Sequence, residues 1–122
     1  MKSEVVIDGR TISPDHPPYV IAEMSANHGN DLNKAIEIIK KAKECGADAI
    51  KIQTYTANTL TIDWYNPDFQ LDNPKSLWHG MSMYELYEQA HTPWDWHEAI
   101  FNKCKDLDII CFSSPFDPTG RI

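Results

Sequence analysis

Two hydrophobic periods alternate along this chain, and their order predicts its architecture. Tyr19-Val20-Ile21-Ala22-Glu23-Met24 is a near-continuous apolar run, the pattern of a strand covered on both faces. Leu32, Ala35, Ile36, Ile39 and Ala42 then recur at helical spacing, with Lys34, Lys40, Lys41 and Lys43 largely outside the stripe. Asn30 or Asp31 can cap that helix and Gly46 can stop it, which predicts a helix over about residues 31–45. Period two returns at 49–53, where Ile50 and Ile52 point one way and Ala49, Lys51 and Gln53 the other. Residues 19–53 thus read as one strand-helix-strand unit with a parallel strand pair. A third strand is predicted over about 109–114, with Ile110, Phe112 and Ser114 on one face and Pro115 at its end.

The remaining segments connect these strands. Asp8-Gly9 between short β-prone runs predicts a hairpin over 4–12. Ser82-Met83-Tyr84-Glu85 has the form of a capping box and starts a short helix through about Ala90. Thr92-Pro93-Trp94-Asp95 offers a second start, for a helix from Pro93 to about Leu107 that buries His97, Ile100, Cys104 and Leu107. Between residues 54 and 82 regular periodicity lapses, and Tyr55, Trp64, Tyr65, Phe69 and Trp78 stand among Asn, Asp and Pro. That stretch reads as an ordered loop, either a lid or a self-packed connection.

Three strands separated by helices, each ending in polar residues, predict an α/β fold with a parallel sheet. Chemistry in such folds gathers at the carboxyl ends of the strands. Here those ends carry Glu23, then Lys51 with Gln53, then Ser114, and the period-two reading can put all four on one side of the sheet. An ammonium and a carboxamide in an otherwise apolar strand need compensation, and a phosphate or carboxylate ligand would supply it. The competing assignment for Lys51 is an interior ion pair with Glu23, and serine before proline, as at Ser114, is also ordinary turn chemistry.

Charge and cysteine usage narrow the partners. At 122 residues with net charge −7 and a pI near 5.0, the chain is of single-domain size and is a poor match for nucleic acid or an anionic membrane. No apolar run approaches a membrane span, and Met1-Lys2-Ser3-Glu4 lacks a signal-peptide core, so a cytoplasmic location is expected. Cys45, Cys104 and Cys111 form no CxxC or tight ligand spacing and read as reduced, partly buried thiols. His79, His91 and His97 read as structural.

At Ile21-Ala22-Glu23-Met24-Ser25-Ala26-Asn27-His28-Gly29-Asn30, Lys51-Ile52-Gln53-Thr54-Tyr55 and Phe112-Ser113-Ser114-Pro115-Phe116-Asp117 the chain resembles the N-terminal part of the sialic acid synthase family. Tyr84-Glu85-Leu86-Tyr87 and Thr92-Pro93-Trp94-Asp95-Trp96-His97 resemble its pseudaminic acid synthase branch. The resemblance covers about residues 5–119. It implies a (β/α)8 TIM barrel followed by an antifreeze-like domain, and a transferase that condenses phosphoenolpyruvate with an N-acetylated amino sugar. For this branch the sugar is a 2,4-diacetamido-2,4,6-trideoxy hexose and the product a nonulosonic acid. The resemblance assigns Lys51 to the phosphoenolpyruvate anion, Ser114 to its phosphate, Gln53 to holding the ligand, and Glu23 to orienting water or a sugar hydroxyl. Asn27 and His28 become either sugar contacts or groups that support the contacting residues. A divalent metal, Mn or Mg, polarises the aldehyde, with its histidine ligands on later strands and none in this chain.

The family barrel has eight strands, and three are read here. The expectation is therefore an incomplete barrel: residues 1–122 as the first three β/α units behind a hairpin, without the antifreeze-like domain, from a truncated product, a frameshifted end or a fragmentary gene. Gly120-Arg121-Ile122 also fail to continue the small, apolar helix start expected after Asp117-Pro118-Thr119. The family's intact enzyme is a homodimer, whereas the isolated chain is expected to be inactive and to self-associate through Tyr19, Ile21, Ile110 and Phe112. The rival assignments are an N-acetylneuraminate or legionaminate synthase, another phosphoenolpyruvate-condensing barrel, and a non-catalytic interaction module.

Overall fold

The computed structural model describes residues 4–120; the readings placed on Met1–Ser3 and on Arg121–Ile122 lie outside them. The chain opens with an antiparallel hairpin of β1 (Val5–Ile7) and β2 (Arg10–Ile12). Asp8 and Gly9 both take positive φ, 48° and 77°, the two-residue turn whose twist matches that of the flanking strands. Arg10 fastens the hairpin to the amino end of the main sheet. Its guanidinium pairs with Asp48, donates to the Pro18 carbonyl at 2.9 Å and lies 5.2 Å from the centre of the Tyr19 ring. Asp48 in turn accepts the Val20 N–H at 2.7 Å.

The main sheet is parallel, in the order β3 (Ile21–Glu23), β4 (Ala49–Thr54), β5 (Ile110–Pro115). Helix α1 (Leu32–Glu44) links β3 to β4, and α4 (Trp96–Asp106) leads into β5. Asp31 caps α1 by accepting the N–H groups of Asn33 and Lys34, and Gly46 (φ 85°) follows the helix in the left-handed region. One face of the sheet meets these helices in a core of Met24, Ala35, Ile39, Ile50, Ile52, Ile100, Cys104 and Ile109. Cys104 and Cys111 are free thiols on this side, and Cys45 is exposed. A hydrogen bond to Cys104, together with burial, pushes the Cys111 thiol far above its ordinary range and keeps it protonated.

Four details differ from the sequence reading. The first core strand is three residues long and lies at the sheet edge, pairing only with β4, so Val20 and Ile21 stay 49% and 44% exposed instead of covered on both sides. The second main helix begins at Trp96, not Pro93. Pro93 and Trp94 form a turn whose carbonyls accept the N–H groups of Trp96 and His97, and the Thr92 hydroxyl meets His28 instead of capping. Third, β5 is followed by the short 3-10 turn Pro118–Gly120, so two strand-helix-strand crossovers are seen among the described residues in place of three complete β/α units. Finally, Tyr19 and Ile110 are half-buried, leaving Ile21 and Phe112 as the exposed members of the expected apolar face.

The 54–82 connection is partly built. It contains α2 (Ala57–Leu60), a 3-10 turn at Pro67–Phe69 and a bridge between Gln70 and Ser82. Tyr55 is buried edge-to-face against Tyr87 and Phe116, while Trp64 and Tyr65 are 56% and 78% exposed. The aromatics thus divide between packing and the surface. Ser82 and Glu85 form the expected capping box at the head of α3 (Met83–Ala90). Among the described residues no helix is long and apolar enough to cross a membrane.

Candidate functional site

Strand register decides which polar side chains meet. In the parallel pairing Glu23 lies beside Lys51 and Lys51 beside Phe112, and one row further Gln53 lies beside Ser114. Paired residues share a face, so Glu23, Lys51, Gln53 and Ser114 all leave the sheet on the side away from α1 and α4, at its carboxyl end. The isoleucines that alternate with them are what hold the strand down: Ile50 and Ile52 are fully buried under the helices.

Within this group Lys51 Nζ lies 2.5 Å from Glu23 Oε1. The lysine side chain is 26% exposed and the glutamate 51%, so the pair is open to solvent. Such a pair contributes only about 0–1 kcal/mol to folding, too little to explain a lysine in the central strand. It does hold the ammonium at a fixed point on the open face, one row from Gln53 and Ser114.

The loop after β3 divides the other two candidates. Asn27 is exposed and its Nδ2 donates to the Met24 carbonyl at 2.9 Å, so its carboxamide folds back on its own loop. His28 is wholly buried and does not join the group. Its Nδ1 accepts the Asn30 N–H at 3.1 Å, its Nε2 faces Thr92 Oγ1 at 3.2 Å, and its ring stands edge-on to Trp96. Both nitrogens are occupied and the ring is buried, which corrects the expectation of a direct sugar contact. Consecutive turns, with Ser25 at φ 48°, steer the loop inward.

Burial, then the positive fields of His91 and Lys34, depress the proton affinity of His28. The unfolded chain takes up this proton near the ordinary value of 6.5, whereas the folded chain does so only at lower pH. The contribution of His28 is therefore complete above 6.5 and declines as pH falls below it, by at most about 1.4 kcal/mol per pH unit. Urea midpoints at pH 7.5 and 5.5 test this: the parent chain should lose more stability on acidification than His28→Gln.

A second polar cluster, not anticipated as a unit, lies behind the strand ends. Thr54 Oγ1 is 2.7 Å from His97 Nε2 and 2.5 Å from Ser113 Oγ, and His97 Nδ1 faces the carbonyls of Pro93 and Trp94 at 3.2 and 3.1 Å. The sequence signal was parity: Thr54 and Ser113 alternate with Gln53 and Ser114 and must face the helices. A separate cleft of about 180 Å³ lies between α2 and α3, lined by Thr56, Ala57, Asn58, Tyr84, Glu88 and His91. Among the described residues no three His, Cys, Asp or Glu side chains are grouped to hold a metal.

Comparison with known proteins supports the resemblance to the sialic acid synthase family. The chain is 49% identical over 102 residues to the pseudaminic acid synthase of Campylobacter jejuni and 44% identical over 100 residues to that of Helicobacter pylori. These alignments cover 84% and 82% of this chain and 29% of each relative, so the chain spans under a third of the curated relatives' length. The crystal structure of an N-acetylneuraminic acid (sialic acid) synthetase from Leptospira borgpetersenii, in complex with citrate, superposes with a TM-score of 0.76 at 25% identity, covering 98% of this chain and 36% of that one. Residues 38–120 match the NeuB family, and with more than half of its length inside that match the chain belongs to the NeuB family.

Proposed function

We propose that this chain carries the strand-end part of the phosphoenolpyruvate site of a pseudaminic acid synthase. The reading includes a TIM barrel of which β3, β4 and β5 are consecutive strands, and a 2,4-diacetamido-2,4,6-trideoxy hexose as the second substrate. One observation carries it: Lys51 stands paired with Glu23 at the carboxyl end of the central strand, one row from Gln53 and Ser114. In the reaction, C3 of phosphoenolpyruvate attacks the sugar aldehyde, water adds at C2, and phosphate leaves by C–O cleavage. The Lys51 ammonium neutralises the incoming anion and the Ser114 hydroxyl donates to its phosphate. Gln53 fixes the ligand's orientation through its carboxamide. Glu23, beside the lysine, accepts a hydrogen bond from the attacking water or from a sugar hydroxyl, and so aims it.

The family implies a divalent metal, Mn or Mg, but the described residues do not fit its site. The required cluster of donors is missing among them, and Glu23, the carboxylate of this face, is engaged by Lys51. No step of this reading runs through a metal held here. The exposed Ile21 and Phe112 favour association of this face, with a second copy of the chain or with the remainder of a barrel.

A chimera tests the substrate assignment. Residues of this chain would replace the matched 102-residue segment of the Campylobacter jejuni enzyme. Condensation of phosphoenolpyruvate with the diacetamido sugar at a rate within about tenfold of the parent is the expected result. A folded chimera that binds phosphoenolpyruvate but fails with this sugar would refute the branch; one that binds no phosphoenolpyruvate would refute the site.

A further inference from the structure

With a neutral imidazole at His97, the cluster behind the strand ends has one consistent proton arrangement. His97 Nδ1 faces two carbonyl oxygens, of Pro93 and Trp94, and a carbonyl only accepts, so Nδ1 carries the proton. Nε2 is then an acceptor, and the Thr54 hydroxyl donates to it at 2.7 Å. With its proton committed, Thr54 Oγ1 receives the Ser113 hydroxyl proton at 2.5 Å. His97 and Thr54 are 5% and 1% exposed, so water does not compete for these bonds. The end turn closes over the cluster: a Cβ on Gly120 would lie 3.0 Å from Thr54 Cγ2 and 3.1 Å from Pro115 Cβ. The Thr54 carbonyl also accepts the Phe116 N–H at 3.1 Å.

Position along the strands gives this arrangement a purpose. Thr54 follows Gln53, Ser113 precedes Ser114, and Gln53 and Ser114 are register partners on the opposite face. Fixing the hydroxyl-bearing residues on the helix side fixes the backbone from which the two ligand groups project. We propose that His97 is a positioning residue: through Thr54 and Ser113 it locks the ends of β4 and β5, and so sets the separation and aim of Gln53 and Ser114. The inference deepens the phosphoenolpyruvate reading and rests on it for its use, but not for its structural test.

That test is made on the whole chain with His97→Leu, which removes the acceptor, Thr54→Val, which keeps the branched shape and removes the hydroxyl, and His97→Gln, which returns an acceptor near the Nε2 position. Nitrogen NMR of the parent should show the Nδ1-protonated tautomer at His97. Amide hydrogen exchange at Gln53, Thr54 and Ser114 should accelerate by about tenfold or more in the Leu and Val variants, with amides of α1 changed far less, and recover in the Gln variant. Phosphoenolpyruvate affinity should fall in the same two variants and recover in the third. Unchanged exchange at the three positions in both His97→Leu and Thr54→Val would overturn the proposal, as would the Nε2-protonated tautomer. If Thr54→Val alone folds, it decides the matter against the parent. Failure of the parent to bind phosphoenolpyruvate would remove the functional reading and leave the exchange result to judge His97.

Discussion

On the proposed function, Lys51→Met should weaken phosphoenolpyruvate binding by about 10- to 150-fold, the equivalent of one charge-assisted hydrogen bond of about 1.5–3 kcal/mol. The loss follows from two changes in the same place. The ammonium that would meet the anion is gone, and the Glu23 carboxylate that it held at 2.5 Å is left facing the ligand with its charge uncompensated. Adding Glu23→Gln to Lys51→Met should therefore recover part of the affinity, whereas Glu23→Gln alone, by releasing Lys51, should leave binding intact or tighten it. Isothermal titration of the four proteins gives the coupling directly. Equal affinity of Lys51→Met and the parent chain would mean that Lys51 is a structural ion-pair partner and no more. Folding stability should hardly respond to the same substitution, because the pair is solvent-open and contributes about 0–1 kcal/mol.

The opposite profile is expected one residue away. Ile50 is fully buried on the other face of the central strand, among Met24, Ile39, Ile100 and Cys104. Ile50→Ala removes its outer carbons and leaves a cavity beneath two helices, at an expected cost of about 2–5 kcal/mol. Small domains are held by about 5–15 kcal/mol in total, so the urea midpoint should fall steeply at unchanged slope. Leu77→Ala, at a side chain 96% exposed, should change stability by no more than about 0.5 kcal/mol. A cost below about 1 kcal/mol for Ile50→Ala would contradict the placement of the core. The two neighbouring substitutions thus separate the chemistry of one face from the cohesion of the other.

That division of faces was legible in the sequence because it depends only on local parity. Alternation in Ala49–Thr54 separates Ile50 and Ile52 from Lys51 and Gln53 whatever the strand pairs with, and the same holds for Ile110–Pro115. The Asp8-Gly9 hairpin, a helix cap at Asn30 or Asp31 and the Ser82–Glu85 capping box were legible for the same reason: each is settled within four residues. Features set by distant partners were not. Whether Lys51 meets Glu23 depends on register between β3 and β4, which a hydrophobic pattern does not specify within one strand pair. Edge position, which exposes Ile21, depends on sheet order. Its polar loop gives no local sign that His28 is buried, because that burial rests on Thr92, 64 positions away. That contact and the demand of His97 for the Pro93 and Trp94 carbonyls displace the start of α4 to Trp96, against the local signal of proline at a first helical turn. The shared function of Thr54, His97 and Ser113 was hidden similarly, since helix α4 is brought over β4 and β5 only by the fold.

An anion is expected to bind at the carboxyl ends of β4 and β5, on the face away from the helices. Titration of the isotopically labelled chain with phosphoenolpyruvate, followed residue by residue by NMR, tests it most directly. Saturable shifts should concentrate at Glu23, Lys51, Gln53 and Ser114, including the Gln53 side-chain amide, with His28 and Cys45 unmoved. Shifts absent from those positions in a folded chain, or centred instead on the α1 lysines Lys34, Lys40 and Lys41, would contradict it.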